Sequence, residues 1–151
     1  MAMMDVNGRE LRTGDVVMIS DSYFKNDNGL WFIESSPGDV NWLGDDYSLR
    51  RICKDGSLST SKHNIAFWPL KAFCSDHFKN ARAYAWNKEH AKIEIIDTVD
   101  RSAIRDYFAD HAKKMEPSLE RKMWDWGRHS AFYLHDEKIR RHYLRVAASI
   151  A

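Results

Sequence analysis

The sequence contains little cysteine and no long hydrophobic run. Its two cysteines, Cys53 and Cys74, are far apart in sequence and fit neither a disulfide-dense secreted scaffold nor a zinc-binding pair. We therefore expect reduced thiols, no bound metal and no cofactor. No apolar stretch reaches the roughly 20 residues of a membrane-spanning helix, and the opening residues lack the apolar core of a signal peptide. These absences predict a cytoplasmic protein without a membrane partner.

The sequence also has no strong excess of positive charge. It contains 23 Lys and Arg and 22 Asp and Glu, for a formal net charge of +1. Duplex-DNA-binding proteins gain much of their affinity by neutralising phosphates and carry a larger basic excess. Residues 1–100 hold 12 Lys and Arg against 15 Asp and Glu, whereas residues 101–151 hold 11 against 7. Binding of nucleic acid by the whole surface is therefore disfavoured, and a basic patch in the C-terminal part stays open.

Catalytic signatures are scarce. The chain contains no phosphate-binding loop, dinucleotide-binding glycine pattern, nucleophile elbow or zinc-protease motif. His129, His135 and His142 are spaced by six and seven residues, whereas helical ligands of one metal ordinarily lie three or four apart. We interpret these histidines as surface or capping residues and predict that the protein is not an enzyme.

Short β-branched and aromatic runs alternate with Gly and Asp turns in the first two thirds of the chain. Val16–Ile19 and Leu30–Glu34 are typical of a hairpin, and Lys92–Asp97 alternates like a strand that returns to the same sheet. Two further strands are expected over Tyr47–Cys53 and up to Trp68. The pattern predicts a small, closed β-barrel over residues 8–97, with a helix inserted at about 76–90.

Helical periodicity dominates residues 98–151. The apolar positions predict three amphipathic helices, the second beginning at Pro117, which suits the first turn of a helix. Gly127 is expected to end or kink that helix before Ser130. The fold class predicted is therefore α+β, an SH3-like small barrel followed by C-terminal helices packed on or beside it.

Two stretches carry a resemblance to known proteins. The segment Leu11-x-x-Gly14-Asp15-Val16-Val17 is similar to the first strand of SH3-like small barrels. Residues 8–97, including SYFKNDNGLWFIE, NIAFWPL and KAFCSDHFKNARAYAWNKEHAKIEIID, resemble uncharacterised accessory proteins of phages and conjugative elements from Gram-positive gut bacteria. The resemblance implies an accessory gene of a mobile element, and small proteins of this origin often bind host defence nucleases or nucleic acid. It supplies no active-site residues.

Aromatic residues make up 13% of the chain, with six Trp. They are candidates for a patch that stacks on bases or grips a partner, or for the core of the barrel. In Leu30–Glu34, one of Trp31 and Phe32 is expected to face inward and the other outward. We expect most of them in the core and Trp42, in a loop-like stretch, at the surface. The aromatic binding candidates are Trp31, Trp42, Tyr47 and Trp68.

Basic residues recur on the last two predicted helices, where they are candidates for contact with phosphates or an acidic protein surface. The alternative is a solvated helix face, balanced at i,i+4 spacing by acidic neighbours such as Asp136 and Glu137. Lys138–His142 is the least balanced segment. The cationic binding candidates are Arg121, Lys122, Arg128, Lys138, Arg140, Arg141 and Arg145.

Three functions follow as hypotheses. The first is a non-catalytic binding protein of a mobile element, which inhibits a host defence nuclease such as a CRISPR effector. The second is an accessory protein that binds nucleic acid directly. The third is a small-ligand-binding protein or an enzyme with an unrecognised site. A homodimer would be compatible with all three, because exposed edge strands favour self-association.

Overall fold

The computed structural model describes residues 3–36, 47–59, 65–66, 82–127 and 129–150. The fold is α+β, as the sequence predicts. The chain divides into two compact units, and the division falls between Val99 and Asp100. We refer to the described residues before this division as the N-terminal unit and to those after it as the helical unit.

The N-terminal unit is built on an antiparallel sheet with the strand order β4-β3-β2-β1-β5. The predicted hairpin is confirmed, because β1 and β2 pair with Val17 opposite Trp31. The predicted return of a later strand is confirmed too, since Ile95 of β5 pairs with Val17 from the other side. The strands are β1 (Val16–Ser20), β2 (Gly29–Ser35), β3 (Ser48–Arg51), β4 (Ile65–Ala66) and β5 (Lys92–Ile95).

The sheet is open in the part of the chain that the structure describes, so the predicted barrel is not confirmed. Strands β4 and β5 end the sheet and do not pair with each other there. The outer edge of β5 is occupied by the N-terminal segment. The Val6 N–H donates to the Ile93 carbonyl at 2.9 Å, and the Asp5 carboxylate accepts from the Ile95 N–H at 3.0 Å. This edge is therefore closed to strand addition by a partner.

Both faces of the central strand β2 are buried. Trp31 lies on the face that holds the main apolar cluster, and Tyr47 closes this cluster by accepting from the Met3 N–H at 2.8 Å and donating to the Leu11 carbonyl at 3.1 Å. Phe32 points to the opposite face and is fully buried as well. Trp31 and Phe32 therefore lie on opposite faces of the sheet, as expected, but neither faces solvent.

Helix α1 (Arg82–His90) lies between β4 and β5 in the chain. Residues 76–81, at the start of the helix predicted there, lie outside the described residues. Ala85 and Trp86 are exposed, and the neighbouring Asn87 is fully buried. The reason is a hydrogen bond between this helix and the loop after β1. Asn87 Oδ1 accepts from the Tyr23 N–H at 2.9 Å, so a polar contact orients this helix.

The helical unit is a hairpin of two helices, α2 (Ser102–Trp126) and α3 (Ala131–Ser149). The prediction of a separate helix starting at Pro117 is wrong, because Pro117 lies inside α2. A proline removes one backbone N–H from the ladder, and packing against α3 holds the helix continuous through it. The Gly127 prediction is confirmed. Its φ of 82° ends α2, and its N–H donates to the Met123 carbonyl at 3.0 Å.

The hairpin is antiparallel, as cross-helix contacts show. Lys122 pairs with Asp136, and Arg140 lies 3.6 Å from Glu116, so residues later in α2 meet residues earlier in α3. His142 is 1% exposed, which corrects its interpretation as a surface residue. It lies one turn before Val146, on the buried face of α3. None of the helices described is long and apolar enough to cross a membrane.

Candidate functional site

Two of the four predicted aromatic binding residues lie in the core. Trp31 is 3% exposed, and its indole N–H donates to the Asp27 carbonyl at 2.7 Å. The Arg51 guanidinium carbon lies 3.9 Å from the centre of the Trp31 ring, a cation–π contact. Tyr47 is 2% exposed, and its hydroxyl accepts from the Met3 N–H and donates to the Leu11 carbonyl. These two side chains therefore stabilise the N-terminal unit and form no exposed surface. Trp42 and Trp68 lie outside the described residues.

Several predicted cationic residues also have structural roles. Lys122 is paired with Asp136, and Arg140 lies near both Glu116 and Glu137, at 3.6 and 3.5 Å. These contacts join α2 to α3 or link neighbouring turns of α3. Arg121 is exposed on α2, and Arg128 lies outside the described residues. Lys122 and Arg140 therefore lie close to acidic side chains, although these contacts differ from the i,i+4 pairs of the alternative.

The remaining three predicted cations come together on α3. Lys138, Arg141 and Arg145 follow one another at spacings of three and four residues, which places them on one face of the helix. They line a concave surface of about 600 Å³, which we call the cationic groove. Its lining residues are His129, Tyr133, Leu134, Glu137, Lys138, Arg141 and Arg145.

Among the described residues that line the groove, Lys138, Arg141 and Arg145 outnumber the single acidic residue, Glu137, so this lining has a net positive charge. Glu137 Oε1 accepts from Arg141 Nε at 3.1 Å and lies 3.5 Å from Arg140. The single negative charge of Glu137 is therefore shared between Arg140 and Arg141, so it neutralises Arg141 only in part. The Arg141 side chain is 73% exposed, so its guanidinium is accessible from solvent. The arrangement can attract and orient an acidic surface.

Exposed apolar side chains lie at the turn end of the same hairpin. Leu134, in the groove, is 52% exposed, while Trp124 and Trp126, in the last turn of α2, are 79% and 62% exposed. Sequence reasoning did not select these two tryptophans as binding candidates. Their spacing was a usable signal, since residues two apart on a helix cannot share a face. The turn of four residues that follows brings this end of α2 close to the first turn of α3.

The described residues contain no cluster of three or more His, Cys, Asp or Glu side chains that could hold a metal ion. His129 and His135 are exposed on the hairpin, whereas His142 is buried. Cys53 is a free, exposed thiol, and Cys74 lies outside the described residues. Comparison of the chain with protein-family models, with curated proteins and with solved structures finds no match.

Proposed function

We propose that this protein is a non-catalytic binding protein whose cationic groove holds an acidic surface of a partner. The observation that carries the proposal is the line of Lys138, Arg141 and Arg145 along one exposed face of α3. Such a line gives an electrostatic attraction that steers and orients the partner. A surface charge contributes little by itself, so affinity requires apolar contact beside it.

The exposed apolar residues favour a protein partner. Arginine, tryptophan and tyrosine are enriched where protein interfaces gain most of their affinity. Leu134 supplies apolar area inside the groove, and Trp124 and Trp126 are exposed in the last turn of α2, on different faces of that helix. A duplex phosphate backbone would use the cations and leave these side chains in water. We therefore favour a host protein or nucleoprotein over bare nucleic acid.

The biological setting of the proposal comes from the resemblance of residues 8–97. It supports a cytoplasmic accessory protein of a phage or conjugative element, directed against a host defence nuclease, with a CRISPR effector as the candidate target. An SH3-like barrel around the open sheet belongs to the same proposal and is supported by the Leu11-x-x-Gly14-Asp15 segment. Direct binding of nucleic acid is the second candidate, supported by the three aligned cations alone.

The test uses a purified CRISPR effector ribonucleoprotein from a Gram-positive host, immobilised for a binding measurement. Replacing Lys138, Arg141 and Arg145 together by Ala should weaken binding by about ten-fold or more, since 1.4 kcal/mol corresponds to a factor of ten. The matched control removes three exposed charges from α2, at Arg105, Lys113 and Lys114, and should bind like the unaltered protein. Equal weakening in the two triple variants would contradict the groove as the contact surface.

Salt dependence and a tryptophan variant separate the protein partner from bare nucleic acid. Binding to a bare oligonucleotide should weaken steeply as salt rises, because counterions are released from the phosphates. A Trp124→Ala/Trp126→Ala variant should lose affinity for the protein partner and keep any affinity for an oligonucleotide. If the unaltered chain binds the oligonucleotide as tightly as the ribonucleoprotein, the second candidate replaces the first.

A further inference from the structure

A second concave surface lies in the N-terminal unit, separate from the cationic groove. It has a volume of about 500 Å³, within the usual range for small-ligand sites. Its walls are the loop that joins β1 to β2 and the junction between α1 and β5. The sheet register brings these walls together, because Ser20 at the end of β1 pairs with Lys92 at the start of β5. We call it the indole cleft.

The central feature of the cleft is a fixed aromatic stack. The Trp86 ring lies 4.1 Å from the His90 ring, with an interplanar angle of 16°. The Trp86 indole N–H donates to the Asp21 carbonyl at 3.1 Å, and Asp21 has a left-handed φ of 56°, a conformation often found at functional sites. His90 covers one face of the indole, and because Trp86 is still 45% exposed, the rest of this oriented aromatic surface is accessible to a ligand.

The loop opposite the stack is held in place by a buried amide. Asn87 Oδ1 accepts from the Tyr23 N–H at 2.9 Å and from Ser22 Oγ at 3.3 Å. Asn28 adds a second tie, since its Oδ1 accepts from the Ser22 N–H at 2.9 Å. These bonds link α1 to the start of the loop, and the start of the loop to its end. The cleft is therefore preorganised, which reduces the entropy that a ligand must lose on binding.

The charged groups of the cleft do not neutralise one another. Lys25 and Lys92 supply two ammonium groups, and Asp21 and Glu89 supply two carboxylates. Within the described part of the chain none of these four forms an ion pair. A cleft with separate donors and acceptors around an aromatic surface suits a ligand that combines a flat ring, an anionic group and hydrogen-bond donors.

We propose that the indole cleft binds a nucleoside phosphate. The base would stack on the Trp86–His90 pair, since every base has a π-face that aromatic side chains accept. The phosphate would meet Lys25 and Lys92, because ammonium groups bind phosphate as point charges. Ribose hydroxyls would donate to a carboxylate, as they do in dinucleotide sites. The same chemistry is offered by a free nucleotide and by the end of a single-stranded oligonucleotide.

The site is tested by following the indole N–H resonance of Trp86 by NMR, assigned by its loss in Trp86→Phe. Adenosine monophosphate, added up to about 5 mM to detect dissociation constants near 1 mM, should shift this resonance saturably while that of Trp124 stays in place. Inorganic phosphate should produce no comparable shift. No saturable shift with the nucleotide, or an equal shift with phosphate alone, would overturn the proposal.

Charge variants give the second readout. Lys25→Gln/Lys92→Gln should weaken binding of adenosine monophosphate by about ten-fold, as expected for the loss of two phosphate contacts, and leave binding of adenosine unchanged. The control Lys54→Gln/Lys113→Gln removes two exposed charges elsewhere and should bind like the unaltered protein. Equal weakening in both variants would refute the assignment. Tighter binding of the mononucleotide than of a short oligonucleotide would identify the free nucleotide as ligand, and the reverse order would identify a strand end.

Discussion

Replacing Asp5 by Asn should strongly destabilise the N-terminal unit. The Asp5 carboxylate accepts from three backbone N–H groups, those of Asn7 and Arg9 at 2.9 Å and that of Ile95 at 3.0 Å. An amide keeps one acceptor oxygen and turns an N–H donor toward one of these three donors. A buried donor left without an acceptor costs about 1–3 kcal/mol, and the other two bonds lose their charge assistance. We expect a loss of about 2–4 kcal/mol in the free energy of unfolding.

The pH dependence of this loss is the diagnostic part of the prediction. Burial would raise the pKa of Asp5, but the three N–H donors outweigh it and hold the pKa below 3.8, its ordinary value. The folded-state pKa is therefore below the unfolded one, so the carboxylate stabilises the fold above about pH 4 and this contribution is lost as the pH falls through the folded value. The loss in the free energy of unfolding caused by Asp5→Asn should have its full value at pH 7 and a smaller value at pH 3.

Urea unfolding of the two proteins at both pH values measures this cost. Asp110→Asn is the matched control, since Asp110 is exposed on α2, and its effect should stay within about 0.5 kcal/mol. A loss of the same size at pH 7 and pH 3, or a loss no larger than that of the control, would refute the reasoning about the Asp5 carboxylate.

Three further predictions concern stability. Asp27→Asn should raise the melting temperature at pH 7 and not at pH 3. Burial raises the pKa of the Asp27 carboxyl more than Arg51 lowers it, so the charged form, present at pH 7, destabilises the fold. A decrease of the melting temperature at pH 7 would contradict this. Ser130→Ala should cost about 1 kcal/mol, since Ser130 Oγ accepts from the Tyr133 N–H at 3.2 Å at the start of α3; an unchanged denaturation midpoint would exclude this cap. Pro117→Ala should stabilise α2 by about 1–3 kcal/mol in urea unfolding, and a loss of helical circular dichroism would argue against a continuous helix.

The features that sequence reasoning predicted correctly depend on local chemistry. The β-branched run at Val16–Ile19 favours a strand, and Gly29, which begins β2, follows a short loop that returns the chain as a hairpin. Gly127 ends α2 because glycine adopts a positive φ at low cost. Each of these signals acts over one turn or one strand.

The features that sequence reasoning missed depend on contacts between residues that are far apart in sequence. Burial of Phe32 requires knowledge of what covers the second face of the sheet. The ion pairs of Lys122 and Arg140 depend on which α2 residues lie opposite α3, and Pro117 stays helical because α3 packs beside it. The exposure of Trp124 and Trp126 likewise depends on where the hairpin turns. Composition marks such residues as candidates and does not show which way they face.

Hydrogen exchange of the chain alone and in complex with a CRISPR effector ribonucleoprotein tests the account most directly. It reports which backbone segments gain protection when the partner binds. We predict added protection over residues 129–145, which carry the cationic groove, and over the last turn of α2 with its exposed tryptophans. Added protection confined to the sheet of the N-terminal unit, with α3 unchanged, would contradict the claim that this protein acts through the groove.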